Sequence, residues 1–93
     1  MVTVINKLTV IGEADEFERS ISAITDFMKQ QPGFVSHQLY RSRNNPEVYV
    51  ETAQWTAPEL HRAAMTADAF RKLVVGLGKV AKAEPDVFDT VAE

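Results

Sequence analysis

Asn6, His37, Glu51, Trp55 and His61 are the residues of this chain whose types could do chemistry together. An amide donates and accepts hydrogen bonds, an indole N–H donates, and a carboxylate or imidazole can take a proton. Asn6 stands out by its setting. Residues 2–10 read VTVINKLTV and alternate as a β-strand does. Val2, Val4, Leu8 and Val10 share one face, and Thr3, Ile5, Lys7 and Thr9 the other. Asn6 falls on the apolar side. A buried amide without partners costs roughly 1–3 kcal/mol, so Asn6 either meets a buried partner or faces a cavity where a ligand meets it.

Two further strands are predicted around the same space. FVSHQLYRS and VYVETAQW flank the turn RNNPE and form a hairpin. If both alternate in step, Val35, His37, Leu39 and Arg41 face the side of Asn6, with Tyr49, Glu51, Ala53 and Trp55. A plain core there would hold Leu, Val and Ile. The polar set instead predicts a pocket with an apolar wall and a few polar contacts, the usual make-up of a small-ligand site. His61 and Met65 on a following helix close one side, and Phe27 and Phe70 supply flat walls. Each residue also has an ordinary role available to it. Asn6 can pair with backbone, Trp55 can pack in the core, and Arg41 and Glu51 can form an ion pair near the sheet end. His37 and His61 can simply sit half-exposed. Their shared face is what favours the pocket.

The helices follow from spacing. Phe17, Ile21, Ile24 and Met28 recur at i, i+4, i+7 and i+11 within EADEFERSISAITDFMKQQ, which Pro32-Gly33 ends. Thr56 and Glu59 fit a capping box before a second helix through LHRAAM. Thr66 fits as a cap for a further segment carrying Phe70, Leu73, Val74 and Leu77. GLGKVAKAEP reads as a loop and DVFDTV as a short last strand. The order β-α-β-β-α-β predicts an α+β, ferredoxin-like antiparallel sheet with helices on one face. The other face, with Thr3, Ile5, Phe34, Tyr40, Val48 and Val50, is too apolar for a plain water surface. It predicts a homodimer in which two sheets pack together, a dimeric α/β-barrel.

Composition sets the limits. Ninety-three residues predict one domain over 1–93. A net charge of −3 without a basic run argues against nucleic-acid binding. The absence of cysteine excludes disulfides, thiolate metal sites and a Cys nucleophile. His37 and His61 have no metal-site spacing, and no GxGxxG, P-loop or nucleophile-elbow motif occurs. No long apolar run or signal-peptide pattern appears, so the expectation is a cytoplasmic protein with no membrane partner.

These residues carry a resemblance. VTVINKLTV, QQPGFVSHQLYRS and YVETAQW followed by a helix resemble the antibiotic biosynthesis monooxygenase family over nearly the whole chain. Within it they are most similar to the cofactor-independent anthrone monooxygenases of aromatic polyketide pathways. The PGF after the first helix and the Trp ending the third strand are family-wide. The first-strand Asn together with that Trp is more specific. The resemblance implies that Asn6 and Trp55 are the catalytic pair, that a small aromatic substrate is bound, and that O2 is used with no cofactor and no metal. It implies an anthrone deprotonated to an enolate and then oxidised to a quinone, with His37, Glu51 or His61 taking the proton. His37, Arg41, Glu51, His61, Phe27, Met65 and Phe70 would line the substrate. Two departures stand out: relatives often carry Asn where this chain has Glu51, and one branch has Tyr where this chain has His61. The same fold also serves quinol monooxygenases, polyketide cyclases and haem-degrading enzymes. The positions of the haem branch's Trp and ligating His are Ala64 and Val74 here, which speaks against haem. A dimeric ligand-binding protein without turnover is the non-enzymatic alternative.

Overall fold

The computed structural model describes all residues, Met1–Glu93. Four strands and three helices follow one another as β1 (Val2–Val10), α1 (Ala14–Met28), β2 (Phe34–Arg41), β3 (Val48–Trp55), α2 (Pro58–Met65), α3 (Asp68–Gly78) and β4 (Ala81–Asp89). The strands form one antiparallel sheet in the order β2-β3-β1-β4. This is the ferredoxin-like arrangement, and it sets the first strand at the centre. No helix is long and apolar enough to cross a membrane.

The core lies between one sheet face and the helices. Val2, Val4 and Leu8 of β1 and Tyr49, Ala53 and Trp55 of β3 are buried there. They meet Phe17, Ile21, Ile24 and Met28, the apolar stripe of α1. Asp15 and Glu16 in the first turn of α1 suit the positive end of its dipole. Gly33, between α1 and β2, has φ +92°, and an added Cβ would come within 2.6 Å of the Leu60 side chain. Only glycine adopts that backbone freely in so close a contact. Its carbonyl accepts the Thr56 N–H at 2.8 Å, tying the start of β2 to the end of β3.

Four expectations need correction. The sheet register shifts between Phe34 and Ser36, so Phe34 lies opposite Trp55 and packs edge-on to it at 5.6 Å. Phe34 thus joins the inner face, and Val35 is exposed. A bulge inserts a residue and turns the alternation over. Secondly, α2 starts at Pro58 with Ala57 as its cap, and no side chain caps it. Proline favours the first helical position, which moves the cap one residue past Thr56. Thirdly, Thr66 ends α2 instead of starting α3. Its hydroxyl donates to the Ala63 carbonyl at 2.9 Å, and Ala67 precedes α3. Lastly, Gly76 and Gly78 are helical, and β4 begins at Ala81 and runs through Pro85. Pro85 is tolerated because β4 is an edge strand.

Candidate active site

A cavity of about 290 Å³ lies between the sheet and the helices, near the lower end of the roughly 300–1,000 Å³ usual for small-molecule pockets. Nine of its thirteen lining residues are hydrophobic, which suits a largely apolar occupant. Asn6 and Glu51 form its polar floor, directly opposed in the β1–β3 register. Ile21, Ile24 and Met28 of α1 cover them, with Phe70, Val74 and Leu77 of α3 beside them. His61 and Met65 bring in α2, and Ala83 and Pro85 bring in β4. Val74, Ala83 and Pro85 are exposed whereas Ile24 and Leu77 are buried, so the cavity opens along the α3–β4 edge.

The Asn6 amide is oriented from one side. Its Oδ1 accepts the Glu84 backbone N–H at 3.0 Å, and Pro85 lies opposite Asn6 on β4. With the carbonyl held, the amide group Nδ2 is the end left for a ligand, as a donor.

Glu51 is oriented from the other side. Its Oε2 is 2.9 Å from His37 Nε2, and the two side chains are only 12% and 13% exposed. A carboxylate only accepts, so the shared hydrogen sits on Nε2. The Thr25 hydroxyl fits the same assignment. It lies 3.3 Å from His37 Nε2 while donating its own hydrogen to the Ile21 carbonyl at 2.9 Å. Glu51 Oε1 takes no hydrogen bond from the protein and completes the polar floor.

His61 brings an imidazole to the cavity. Partial burial, and then the Arg62 charge, hold it below its usual range. It is therefore neutral near pH 7, able to accept a proton or a hydrogen bond. Trp55 stands behind it, edge-on, with ring centroids 5.3 Å apart. Trp55 is fully buried, and its Nε1 is the one buried side-chain polar atom without a hydrogen-bond partner. An orphaned donor of that kind costs roughly 1–3 kcal/mol.

Of the residues expected at the site, Asn6, Glu51, His61, Met65 and Phe70 line the cavity. Four do not. His37 reaches it only through Glu51, and Trp55 stands behind His61. Phe27 backs Phe70 at 6.2 Å between ring centroids. Arg41 turns away: its Nε donates to the Pro46 carbonyl at 2.8 Å, and its guanidinium lies over the Tyr49 ring. The reason is position, because Arg41 pairs opposite Tyr49, one inward step beyond Glu51. The β4 contribution is not expected from the sequence, in which residues 76–85 read as a loop. An alternating pairing of 81–89 against β1, with Pro85 excused as an edge residue, is the signal that would have found it.

No group of three or more His, Cys, Asp or Glu side chains is placed to hold a metal ion. Against known proteins, the model of the family described as antibiotic biosynthesis monooxygenase matches residues 1–75. A deoxynogalonate monooxygenase from Streptomyces nogalater is 34% identical over 87 residues, 94% of this chain and 74% of that protein. The crystal structure of SnoaB, a cofactor-independent oxygenase from the same organism, superimposes with a TM-score of 0.95 at 33% identity, covering 99% of this chain and 94% of the other. A conserved protein from Methanosarcina mazei shares the fold at 16% identity, with a TM-score of 0.83 over 94% of this chain and 89% of its own.

Proposed function

The chain belongs to the antibiotic biosynthesis monooxygenase family, and from that premise we propose that it oxidises an anthrone-like aromatic to a quinone with O2, using neither metal nor flavin. The observation that carries this reading is the Asn6 amide. Its carbonyl is held by the Glu84 N–H, which leaves its own N–H group free for a ligand, and the residue lines a mostly apolar cavity. The cofactor-independence of SnoaB supports the same chemistry here.

Ground-state O2 is a triplet and reacts slowly with closed-shell molecules. An anthrone escapes this by acting as its own reductant. Loss of a proton from the carbon opposite its carbonyl gives an electron-rich enolate, which passes one electron to O2. The two radicals combine to a peroxide, which loses water. The protein has to stabilise charge on the enolate oxygen and exclude bulk water. An Asn6 N–H already aimed at that oxygen does this without reorganisation, and such a donor is typically worth about 10²–10³ in rate. The buried Trp55 N–H is the second donor in this reading: an oxygen reaching past His61 would satisfy it. The apolar walls hold the rings.

O2 uptake by metal-free protein given a simple anthrone, corrected for autoxidation in buffer, tests the proposal. Uptake well above background that collapses in Asn6→Ala supports it. Equal rates for both proteins and buffer refute it. The active unit in this proposal is a homodimer joined through the uncovered sheet face, where Ile5, Val48 and Val50 are half-buried and Tyr40 and Phe88 exposed. Light scattering reporting a monomer would count against that part.

A further inference from the structure

We propose that Glu51 is the general base and acid of the oxidation and that His37 is its positioning residue. This rests on the oxygenase reading above and assigns the proton acceptor that reading leaves open. Two groups at the cavity can take a proton, Glu51 and His61. The register singles out Glu51, because it lies directly opposite Asn6 on the neighbouring strand. Strands are spaced about 4.8 Å apart, a little wider than the span from a carbonyl oxygen across one six-membered ring to the opposite carbon, a difference that the two flexible side chains can take up. A flat substrate lying on this floor sets its oxygen over Asn6 and its methylene over Glu51. The carboxylate then meets the ring from its face. That is the direction a breaking C–H bond must take for its electron pair to enter the π system.

The hydrogen-bond pattern fits this role. His37 donates to Oε2 and fixes the plane of the carboxylate, and Oε1 takes no hydrogen bond from the protein. The Thr25 hydroxyl beside His37 Nε2 restrains the imidazole in turn. Carboxylate, imidazole and hydroxyl come from β3, β2 and α1, so the base is held on three separate elements.

The proton balance closes on one carboxylate. Glu51 takes the first methylene proton, and the C–H pair becomes the enolate. After one-electron transfer to O2 and radical coupling, a C–O bond joins the ring carbon to a peroxide anion. Glu51 returns its proton to the terminal oxygen. It then takes the remaining hydrogen of that carbon as a proton. The C–H pair closes the C=O bond, the O–O bond breaks, and the departing hydroxide collects the proton from Glu51 as water. The methylene carbon loses four electrons, O2 gains four, and the carboxylate ends as it began.

The test compares wild type with Glu51→Gln on a simple anthrone by two readouts. One is O2 uptake resolved into kcat and KM. The other is anaerobic exchange of the methylene hydrogens for deuterium in D2O, which follows proton removal without oxygen chemistry. The expected result is a loss of at least about 100-fold in kcat and of catalysed exchange, with KM held within about threefold. Glu51→Asp should recover part of both, and it carries the test if melting shows Glu51→Gln unfolded. His37→Phe should lower kcat by about tenfold through misplacement of the carboxylate, and His37→Gln, which still offers an N–H, should restore it. An active wild type whose Glu51→Gln exchanges and turns over equally well overturns this assignment alone. A wild type that neither consumes O2 nor exchanges overturns the oxygenase reading, and this one with it.

Discussion

Tyr49 and Glu51 are two residues apart on one strand and point the same way beneath α1, yet they stand in opposite kinds of surroundings. Tyr49 is 3% exposed and packs against Phe17 at 4.6 Å between ring centroids. Its hydroxyl donates to Glu18 at 2.9 Å, and burial, followed by that bond, holds its pKa above the usual value. The space around it is filled. Glu51 also bonds a neighbour, but its second oxygen borders a cavity. The difference lies in the helix above. Phe17 fills the volume at the first end, whereas Ile21, Ile24 and Met28 leave part of it open at the other. A polar group on an inner strand face therefore becomes a candidate for chemistry through what the opposite layer leaves unfilled.

Substitutions at the two ends should separate stability from turnover. Phe17→Ala, at the filled end, should have the largest effect. Emptying a fully buried Phe site costs about 3–5 kcal/mol, and each kcal/mol lowers Tm by roughly 4–8 °C in a domain of this size. Differential scanning calorimetry reads this directly, and a drop of only a degree or two would mean that this end is not packed as described. At the cavity end, Asn6→Ala should cost about 2.7–4 kcal/mol of transition-state stabilisation while the melting curve moves little, since the residue borders open space. A large fall in Tm would return Asn6 to the rank of a core amide.

Narrowing the mouth should act more weakly. Ala83→Leu projects a larger side chain into the cavity from an exposed strand position, so KM for an anthrone should rise about tenfold, or 1.4 kcal/mol, at nearly unchanged Tm. An unaltered KM would place substrate entry elsewhere. The smallest effect concerns acid. The folded protein holds His61 below the usual 6.5 of an imidazole. Below that pH the unfolded chain takes up a proton that the folded chain resists. This contribution to stability is complete above pH 6.5, declines as the pH falls, and levels off below the lowered folded value. Tm measured from pH 7.5 to 5 should fall less in His61→Gln than in wild type.

The inner faces of β1 and β3 are legible because strict alternation exposes a misfit, and Asn6 and Glu51 both stand out in that way. The α1 stripe was equally plain from its spacing. The bulge after Phe34 was not legible, since no residue in FVSH advertises an extra step and its effect is to reverse the pattern used to read it. The loop expected over 76–85 failed for a related reason. Gly76, Gly78 and Pro85 are breakers by propensity, but the packing of α3 and the open edge of β4 tolerate them. Trp55 and Arg41 lie on the face that alternation predicts, but away from the cavity. Alternation tells which side a residue points to, and what stands between it and a cavity depends on its neighbours' side chains.

The bond that holds Asn6 comes from the main chain of residue 84. A main-chain donor is supplied by nineteen of the twenty amino acids, so position 84 can drift in charge and size while the asparagine keeps its aim. Proline alone would abolish the bond, and proline is already the next residue. A lineage of such proteins can thus vary the side chain at this one position of the outer strand, and with it part of the surface, and still inherit the same orientation of Asn6.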